Sequence, residues 1–158
     1  MSISQPIMED MKGRRFACFP AAILVFLVNA AERVLFLSHP QQNDHWEIVK
    51  GAIEAGETIE EAAYRETKEE VGIKVQVEPL GIIHASTVYH DEKVPYALGL
   101  YYLMAYRGGK VQPGDDMAGS RCQWWSWGEI VEGKMHIGVP SEMWVIKRAI
   151  ELYRLWKR

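Results

Sequence analysis

The chain has 158 residues, of which 48% are hydrophobic and 25% charged, as expected for one globular domain with a sizeable core. Its formal net charge of −3 does not give the strongly basic surface that nonspecific nucleic-acid binding favours. Two cysteines are too few for a disulfide scaffold, so we expect a cytoplasmic protein with both thiols reduced.

The N-terminal part of the chain contains a stretch that looks like a secretion signal. Three basic residues precede an apolar run over residues 16–28. Acidic residues in the charged segment and Pro20 inside the run argue against export, and the run is too short to span a bilayer. We therefore expect a buried strand here, a flexible tail over residues 1–14 and a single domain over residues 15–158.

The first predicted elements are strands. Two apolar runs, over residues 21–28 and 33–37, are joined by a short polar link and predict a hydrogen-bonded pair. The polar stretch 39–45 is predicted to be a loop, and residues 46–49 a strand that leads into a glycine.

A helix follows. Thr58 and Glu61 have the spacing of a capping box, which predicts the start of this helix, and Gly72 is a suitable residue for its end. Small or apolar residues recur at positions 59, 62 and 63 on one face of the predicted helix. This face can lie close to a sheet.

The second half of the chain is predicted to contain four more strands and two helices. The strands are expected over residues 75–77, 81–83, 97–105 and 123–127. A turn separates the last two strands, and a short helix is expected to start within residues 128–130. Ser141 is the predicted cap of a final helix whose apolar residues repeat at helical spacing at positions 143, 146, 150 and 153.

One segment has a pattern that packing does not explain. Its order is Gly51, five residues, Glu57, seven residues, Arg65-Glu66, two residues, Glu69-Glu70. Glu66, Glu69 and Glu70 fall on one helix face, where like charges repel each other. A solvated acidic surface would explain Glu69-Glu70 alone, but the whole pattern is typical of oxygen ligands for a hard divalent cation.

The segment from Gly51 to Ile73 resembles the Nudix box of the MutT-like pyrophosphohydrolases. Thr67 stands where that pattern has a bulky aliphatic residue, and the other specified positions match. The resemblance implies an α/β fold, the Nudix α/β/α sandwich with a mixed β-sheet. It also implies Mg²⁺ as the cofactor, with Mn²⁺ as a substitute.

The resemblance further implies roles for single residues. Gly51 would offer its backbone carbonyl to the metal ion, and Glu66 and Glu70 would be direct ligands. Glu69 would be a ligand or the base that deprotonates the attacking water, and Glu66 is a candidate for catalysis as well. Members of the family differ in which glutamate is the base.

Further candidates complete the predicted catalytic site. Arg65 would orient a glutamate of the box, and we expect a bidentate pair with Glu57. The alternative is a salt bridge that only supports the scaffold. Asp116 and its neighbour Asp115 are the candidates for a further metal ligand from outside the box, with Glu92 behind them, although a Pro-Gly-Asp-Asp sequence is often only a turn.

Substrate contacts are predicted at Trp46, Lys50 and Tyr89. The pair Lys50-Gly51 is similar to that of asymmetric dinucleoside tetraphosphate hydrolases, and Tyr89 is placed to stack on a base or to pack in the fold. The stretch before Gly51 lacks the Pro-Gly-Gly sequence of MutT itself. Specificity for oxidised guanine nucleotides is therefore not implied.

The resemblance implies a Mg²⁺-dependent hydrolase that splits a phosphoanhydride bond of a nucleoside di- or triphosphate derivative. A dinucleoside polyphosphate hydrolase is one alternative, and a Nudix-fold nucleotide-binding or regulatory module without turnover is another. The expected partner is a small nucleotide, with no nucleic acid and no membrane. Trp144 and Trp156 leave room for a homodimer contact.

Overall fold

The computed structural model describes residues 5–133, 135–140 and 142–157. Within these ranges a long mixed sheet carries helices on both faces. Eight strands form this sheet: β3 Ala21–Val28, β4 Val34–His39, β5 Gln42–Glu47, β6 Val49–Ala52, β7 Gln76–Tyr89, β8 Tyr96–Gly108, β9 Cys122–Trp125 and β10 His136–Val139. β1 Ile7–Glu9 and β2 Arg15–Ala17 form a separate two-stranded sheet. The helices are α1 Ile59–Val71, α2 Trp127–Val131 and α3 Met143–Trp156.

The centre of the sheet is a parallel pair of strands. β3 pairs with β8 along its whole length, from Ala21 with Leu98 to Val28 with Ala105. The other edge of β3 is shared, since its first half pairs with β6 and its last residue, Val28, pairs with β4. Beyond β4 the order continues through β5 to β10, while β9 also pairs with β4. β3 is therefore flanked by β8 along one edge and by β6 and β4 along the other.

Two apolar cores lie on the two faces of this sheet. Phe26 and Leu103 belong to the core that α3 covers, together with Ile146 and Ile150 of that helix. Leu27 belongs to the opposite core, with Ala62, Ala63 and Val71 of α1. Alternation along β3 sends successive side chains to opposite cores. The predicted α/β/α sandwich with a mixed sheet is confirmed.

The N-terminal region differs from the expected tail. Residues 7–17 form a two-stranded hairpin, in which Ile7 pairs with Ala17. Asp10 closes its loop, because its carboxylate accepts hydrogen bonds from the backbone N–H groups of Lys12 and Arg14. Gly13 supplies the left-handed conformation that the turn needs, with φ of 77°. The segment therefore has regular structure where an irregular one was expected, while the flexible tail over residues 1–14 stays a prediction.

Three further predictions need correction. The expected loop over residues 39–45 is largely strand β5, which forms a hairpin with β4. The two short strands expected near residues 75–83 are one long strand, β7, whose irregular register around Pro79 and Gly81 keeps it paired with β8. The aromatic strand ends at Trp125, because Ser126 caps α2 with its own capping box.

The structure also contains a strand that the sequence did not predict. β10 lies parallel to β5, with His136 opposite His45 and Ile137 opposite Trp46. It leads into α3, which begins after Glu142. The predicted cap of that helix, Ser141, lies outside the described residues. No helix in the described ranges is long and apolar enough to cross a membrane.

Candidate active site

The helix that carries the acidic residues is defined by local signals at both ends. The Thr58 hydroxyl accepts from the N–H of Glu61, and the Glu61 carboxylate accepts from the N–H of Thr58. Gly72 ends the helix with φ of 137°, and the loop backbone at Gln112 runs so close that a Cβ on this glycine would lie 3.0 Å from it. The helix is therefore fixed on both the sheet and this loop.

Thr67, the departure from the family pattern, fits this packing. It is fully buried on the sheet side of α1. Its hydroxyl donates to the carbonyl of Ala63 at 2.7 Å, so the buried polar group is satisfied within the helix. The substitution therefore keeps an intact core beneath the acidic residues.

Arg65 binds the acidic segment together. Its guanidinium forms the predicted bidentate pair with Glu57, with Nε to Oε1 at 2.8 Å and Nη2 to Oε2 at 3.0 Å. Nη1 contacts Glu66 at 2.6 Å and Glu69 at 3.2 Å. Nη2 also donates to the carbonyl of Ala52. One side chain thus fixes the loop before α1 and two of the three clustered glutamates.

Gly51 and Glu66 make the closest approach in the site. A Cβ built on Gly51 would lie 2.0 Å from the carboxyl carbon of Glu66. A side chain on any other residue at position 51 would overlap with this carboxylate. Glu66 is 8% exposed, and burial raises the pKa of its carboxyl group, while the hydrogen bond from Arg65 opposes that shift.

Glu70 is the most strongly perturbed carboxylate of the site. Burial, together with the negative charges of Glu66 and Glu47, raises its pKa to about 8. The hydrogen bond from the backbone N–H of Lys50, at 3.2 Å, acts in the opposite direction. Burial therefore outweighs the nearby positive charge of Lys50, which favours the ionised form of Glu70.

Glu47 is a site residue that the sequence analysis missed. It lies in β5, is 5% exposed, and forms an ion pair with Lys50, whose Nζ is 2.6 Å from Oε2. Lys50 is thereby held at both ends, by Glu47 through its ammonium group and by Glu70 through its backbone N–H. No local pattern marks Glu47, because its burial depends on the pairing of β5 with β4 and β10.

The residues present fit a divalent cation. Their donors are carboxylate oxygens and a backbone carbonyl, which are the ligands of Mg²⁺ and Mn²⁺. The carboxylate of Glu66 occupies the space over Gly51 that a Cβ would fill, so it lies close to the backbone that carries the Gly51 carbonyl. Within the described ranges no three His, Cys, Asp or Glu side chains form a preformed metal cage, since Arg65 holds Glu66 and Glu69.

The other predicted site residues are spread around this cluster. Asp116 is exposed in a 3-10 turn next to α1, where the N–H of Gly114 donates to the carbonyl of Glu69. Tyr89 is 66% exposed at the end of β7. Trp46 is 8% exposed and packs edge-on against Trp125, so its burial lends no support to a substrate contact. The functional roles of all three stay predictions.

A cavity of about 420 Å³ adjoins the cluster on the α3 side of the sheet. Lys50 and Gly51 form the wall nearest the glutamates. The remainder of its lining is mainly apolar or aromatic and includes Leu24, Val88, Tyr101, Val139 and Pro140. Tyr101 is a buried residue whose hydroxyl pKa is raised by burial.

Comparisons with known proteins agree with this fold. The family profile described as NUDIX domain matches residues 19–143. A hydrolase of the NUDIX family from Clostridium perfringens superposes with a TM-score of 0.68 at 19% identity, covering 87% of this chain and 98% of that one. At this low sequence identity, the superposition shows only that the two proteins share a fold.

Two curated relatives are similar in sequence. The dihydroneopterin triphosphate diphosphatase of Escherichia coli (strain K12) is 45% identical over 65 residues, which is 40% of this chain and 43% of that protein. The ADP-ribose pyrophosphatase of Methanocaldococcus jannaschii is 26% identical over 112 residues, which is 68% of this chain and 64% of that protein. The match therefore spans less than half of the length of the first relative.

Proposed function

The chain belongs to the Nudix family, and on this premise we propose that it is a divalent-metal-dependent hydrolase of phosphoanhydride bonds in nucleoside di- or triphosphate derivatives. The observation that carries the proposal is the contact between Gly51 and Glu66. Gly51 lets the buried carboxylate of Glu66 lie against the backbone of β6, an approach that packing alone does not require. It is useful where that carboxylate must meet an ion.

The metal site is assigned to Glu66, Glu70 and the carbonyl of Gly51, with Mg²⁺ as the ion and Mn²⁺ as its substitute. When bound, a divalent ion neutralises phosphate charge and lowers the pKa of a coordinated water. Burial raises the carboxyl pKa of Glu66 and of Glu70, and a divalent ion beside them would favour their ionised forms. Asp116 remains a candidate for a further ligand.

In the proposed reaction water attacks a phosphorus atom, a new P–O bond forms, and the bridging P–O bond breaks with its electrons on the leaving phosphate. Glu69 is our candidate for the base that takes the proton of the water. Its side chain is 40% exposed, against 10% for Glu66, so water reaches it more readily. Arg65 orients Glu69 and Glu66, and Glu57 fixes Arg65.

Lys50 is proposed to bind the phosphate chain of the substrate. Its ammonium group is half-exposed, anchored by Glu47, and belongs to the wall between the glutamates and the cavity. A cation in this place favours the approach of a polyphosphate. Tyr89 and Trp46 are weaker candidates for contacts with the substrate. Tyr89 lies at the end of β7, and Trp46 lies in the core.

The test is a panel assay that measures release of phosphate or pyrophosphate with Mg²⁺, with Mn²⁺ and with EDTA. Pterin and nucleoside triphosphates stand first in the panel because the relative from Escherichia coli is described as a dihydroneopterin triphosphate diphosphatase. ADP-ribose and a dinucleoside tetraphosphate represent the alternatives. Turnover that EDTA abolishes supports the hydrolase. If no compound of the panel releases phosphate or pyrophosphate, a binding or regulatory module is favoured.

We further propose a cytoplasmic location, because Cys18 and Cys122 are both free thiols. A small nucleotide is the proposed partner, with no nucleic acid. Trp144 and Trp156 are each partly exposed on α3 and are our candidates for a homodimer contact. Light scattering with and without Trp156→Ala tests this contact, and an unchanged mass for the two proteins would contradict it.

A further inference from the structure

Another cavity, of about 330 Å³, lies where the C-terminal end of α1 meets the segment 109–115. We call it the basic cavity. The charged side chains of its lining are Lys68, Lys74, Lys110, Glu69 and Asp115. Three lysines against two carboxylates give this lining a formal charge of +1, whereas the whole chain has −3. The cavity is therefore a local concentration of positive charge in an acidic protein.

Close backbone contacts fix the walls of the basic cavity. A Cβ on Gly109 would lie 2.0 Å from the carbonyl oxygen of Lys74, and one on Gly114 would lie 3.0 Å from that of Glu69. Gly109 also has φ of 90°, a conformation that glycine adopts readily. Because the backbone at Gly109 lies directly on that at Lys74, the side chains of Lys74 and Lys110 start from neighbouring points of one wall.

The end of α1 is prepared for a negatively charged ligand. The C-terminal end of a helix normally disfavours an anion, because its last carbonyl groups point outward without donors. Here the segment 109–115 supplies donors. The N–H of Gln112 donates to the carbonyl of Val71 at 2.7 Å, and the N–H of Gly114 donates to the carbonyl of Glu69 at 3.2 Å. These hydrogen bonds reduce the negative potential at the helix end.

The three lysines differ in how they are held. Lys68 is half-buried, and its ammonium group donates to the carbonyls of Ile73 and Val75. Since an ammonium group has three N–H donors, one of them stays available. Lys74 and Lys110 are exposed, and neither forms an ion pair within the part of the chain that the structure describes. The cavity thus offers one anchored cation and two that can turn toward a ligand.

We propose that the basic cavity binds inorganic pyrophosphate or phosphate. Both are small anions with several oxygen acceptors, and hydrogen bonds between them and ammonium groups are strengthened by charge. The inference rests on the proposed function for the source of the ligand, since that reaction releases phosphate or pyrophosphate. Pyrophosphate should bind more tightly than phosphate because it carries more charge.

The basic cavity is separate from the proposed metal site. Positions 66 and 68 are about 200° apart around a helix axis, so Glu66 and Lys68 lie on opposite faces of α1. Glu69 lies between these two faces, and it belongs to the lining of the cavity. Its carboxylate is 3.2 Å from Arg65, which offsets part of its charge. An anion that leaves the metal site past Glu69 therefore reaches the three lysines.

The first experiment measures pyrophosphate binding by calorimetry, with protein made metal-free on a chelating resin and with about 0.1 M KCl to screen weak surface attraction. Without a metal ion, the carboxylates of the proposed metal site repel the anion. We expect the double variant Lys74→Gln/Lys110→Gln to bind at least about tenfold more weakly than the wild type. The matched control is Lys93→Gln/Lys147→Gln, which removes two exposed lysines elsewhere and should keep the wild-type affinity.

Lys50 is the other cation at which pyrophosphate would be held, so Lys50→Gln is measured in the same way and should keep the wild-type affinity. A loss in Lys50→Gln without a loss in Lys74→Gln/Lys110→Gln would place the anion at the proposed substrate site and overturn the inference. Equal losses in the two double variants would show only general attraction between charges, which also overturns it. So would a wild-type protein that does not bind pyrophosphate.

The second experiment locates the bound anion by NMR on metal-free wild-type protein. Pyrophosphate should shift the amide signals of Gln112 and Gly114, which line the cavity, and leave that of Gly51 in place. Shifts confined to Gly51 and its neighbours would contradict the assignment. Neither experiment depends on turnover. Failure of the anion site therefore leaves the hydrolase proposal intact, and an inactive protein that binds pyrophosphate here would contradict only the hydrolase.

Discussion

The carboxylate of Glu66 occupies the place where a side chain at position 51 would begin. Gly51→Ala therefore forces Glu66 to move, in a strand that is already paired with β3. We expect turnover to fall by at least about 10²-fold, because the change displaces a proposed metal ligand. The check is kcat with saturating Mg²⁺. Gly128→Ala is the control, and near-normal turnover of Gly51→Ala would remove the main support for the metal site.

Arg65→Lys tests the orienting role of the guanidinium. Lysine keeps the charge but cannot reproduce the bidentate pair with Glu57 together with the contacts to Glu66 and Glu69. We expect a loss of about 1–3 kcal/mol in unfolding free energy and at least about tenfold in kcat. Denaturant unfolding and steady-state kinetics measure the two effects.

Arg107→Lys is the matched control for this change, because Arg107 pairs with Glu78 at the exposed surface. It should alter stability by no more than about 0.5 kcal/mol and leave kcat unchanged. If the two arginine variants had the same unfolding free energy and the same kcat, Arg65 would have no orienting role beyond that of an exposed arginine. Loss of stability without loss of kcat would favour the scaffold interpretation of its pair with Glu57.

Glu47→Gln tests the anchoring of Lys50. Glutamine keeps the shape of the side chain but removes the charge that holds the ammonium group at 2.6 Å. We expect KM for a nucleoside triphosphate to rise by roughly tenfold with a smaller change in kcat, the pattern of lost substrate binding. The double variant with Lys50→Gln should be no worse than Lys50→Gln alone. Additive losses would show that Glu47 acts independently of Lys50.

The metal-free protein should lose stability as pH rises. Glu70 has a pKa of about 8 in the folded protein against 4.5 for an ordinary glutamate, so between these values the folded state binds more protons than the unfolded state. The unfolding free energy therefore falls from pH 5 to pH 8, and Glu66, whose pKa is also raised, acts in the same direction.

Thermal unfolding in EDTA at these pH values measures the effect. Glu70→Gln should have a shallower pH dependence than the wild type, and Mg²⁺ should restore the stability of the wild type at the alkaline end. A pH profile that Glu70→Gln leaves unaltered would show that Glu70 is not the titrating group.

Local signals allowed part of this structure to be predicted. α1 was predicted at both ends because Thr58, Glu61 and Gly72 act within the helix itself. The pair of Arg65 with Glu57 followed from the family pattern, and its geometry is present. The sandwich followed from the same resemblance.

Long-range contacts account for what was missed. β10 forms only by pairing with β5, some 90 residues earlier in the chain, and its short sequence with a glycine has little strand preference. The ion pair of Glu47 with Lys50 depends on the burial of β5 between β4 and β10, since Glu47 pairs with Leu37 and Val139. The N-terminal hairpin could have been found, because Asp10 and Gly13 are local turn signals.

The central claim is that carboxylates at one end of α1 hold a divalent ion for phosphoanhydride cleavage. Its most direct test is the turnover of a nucleoside triphosphate by Glu70→Gln beside the wild type, both saturated with Mg²⁺ and both shown to be folded by circular dichroism. The account predicts at least about 10²-fold lower kcat for the variant. Equal turnover of the two proteins would contradict it.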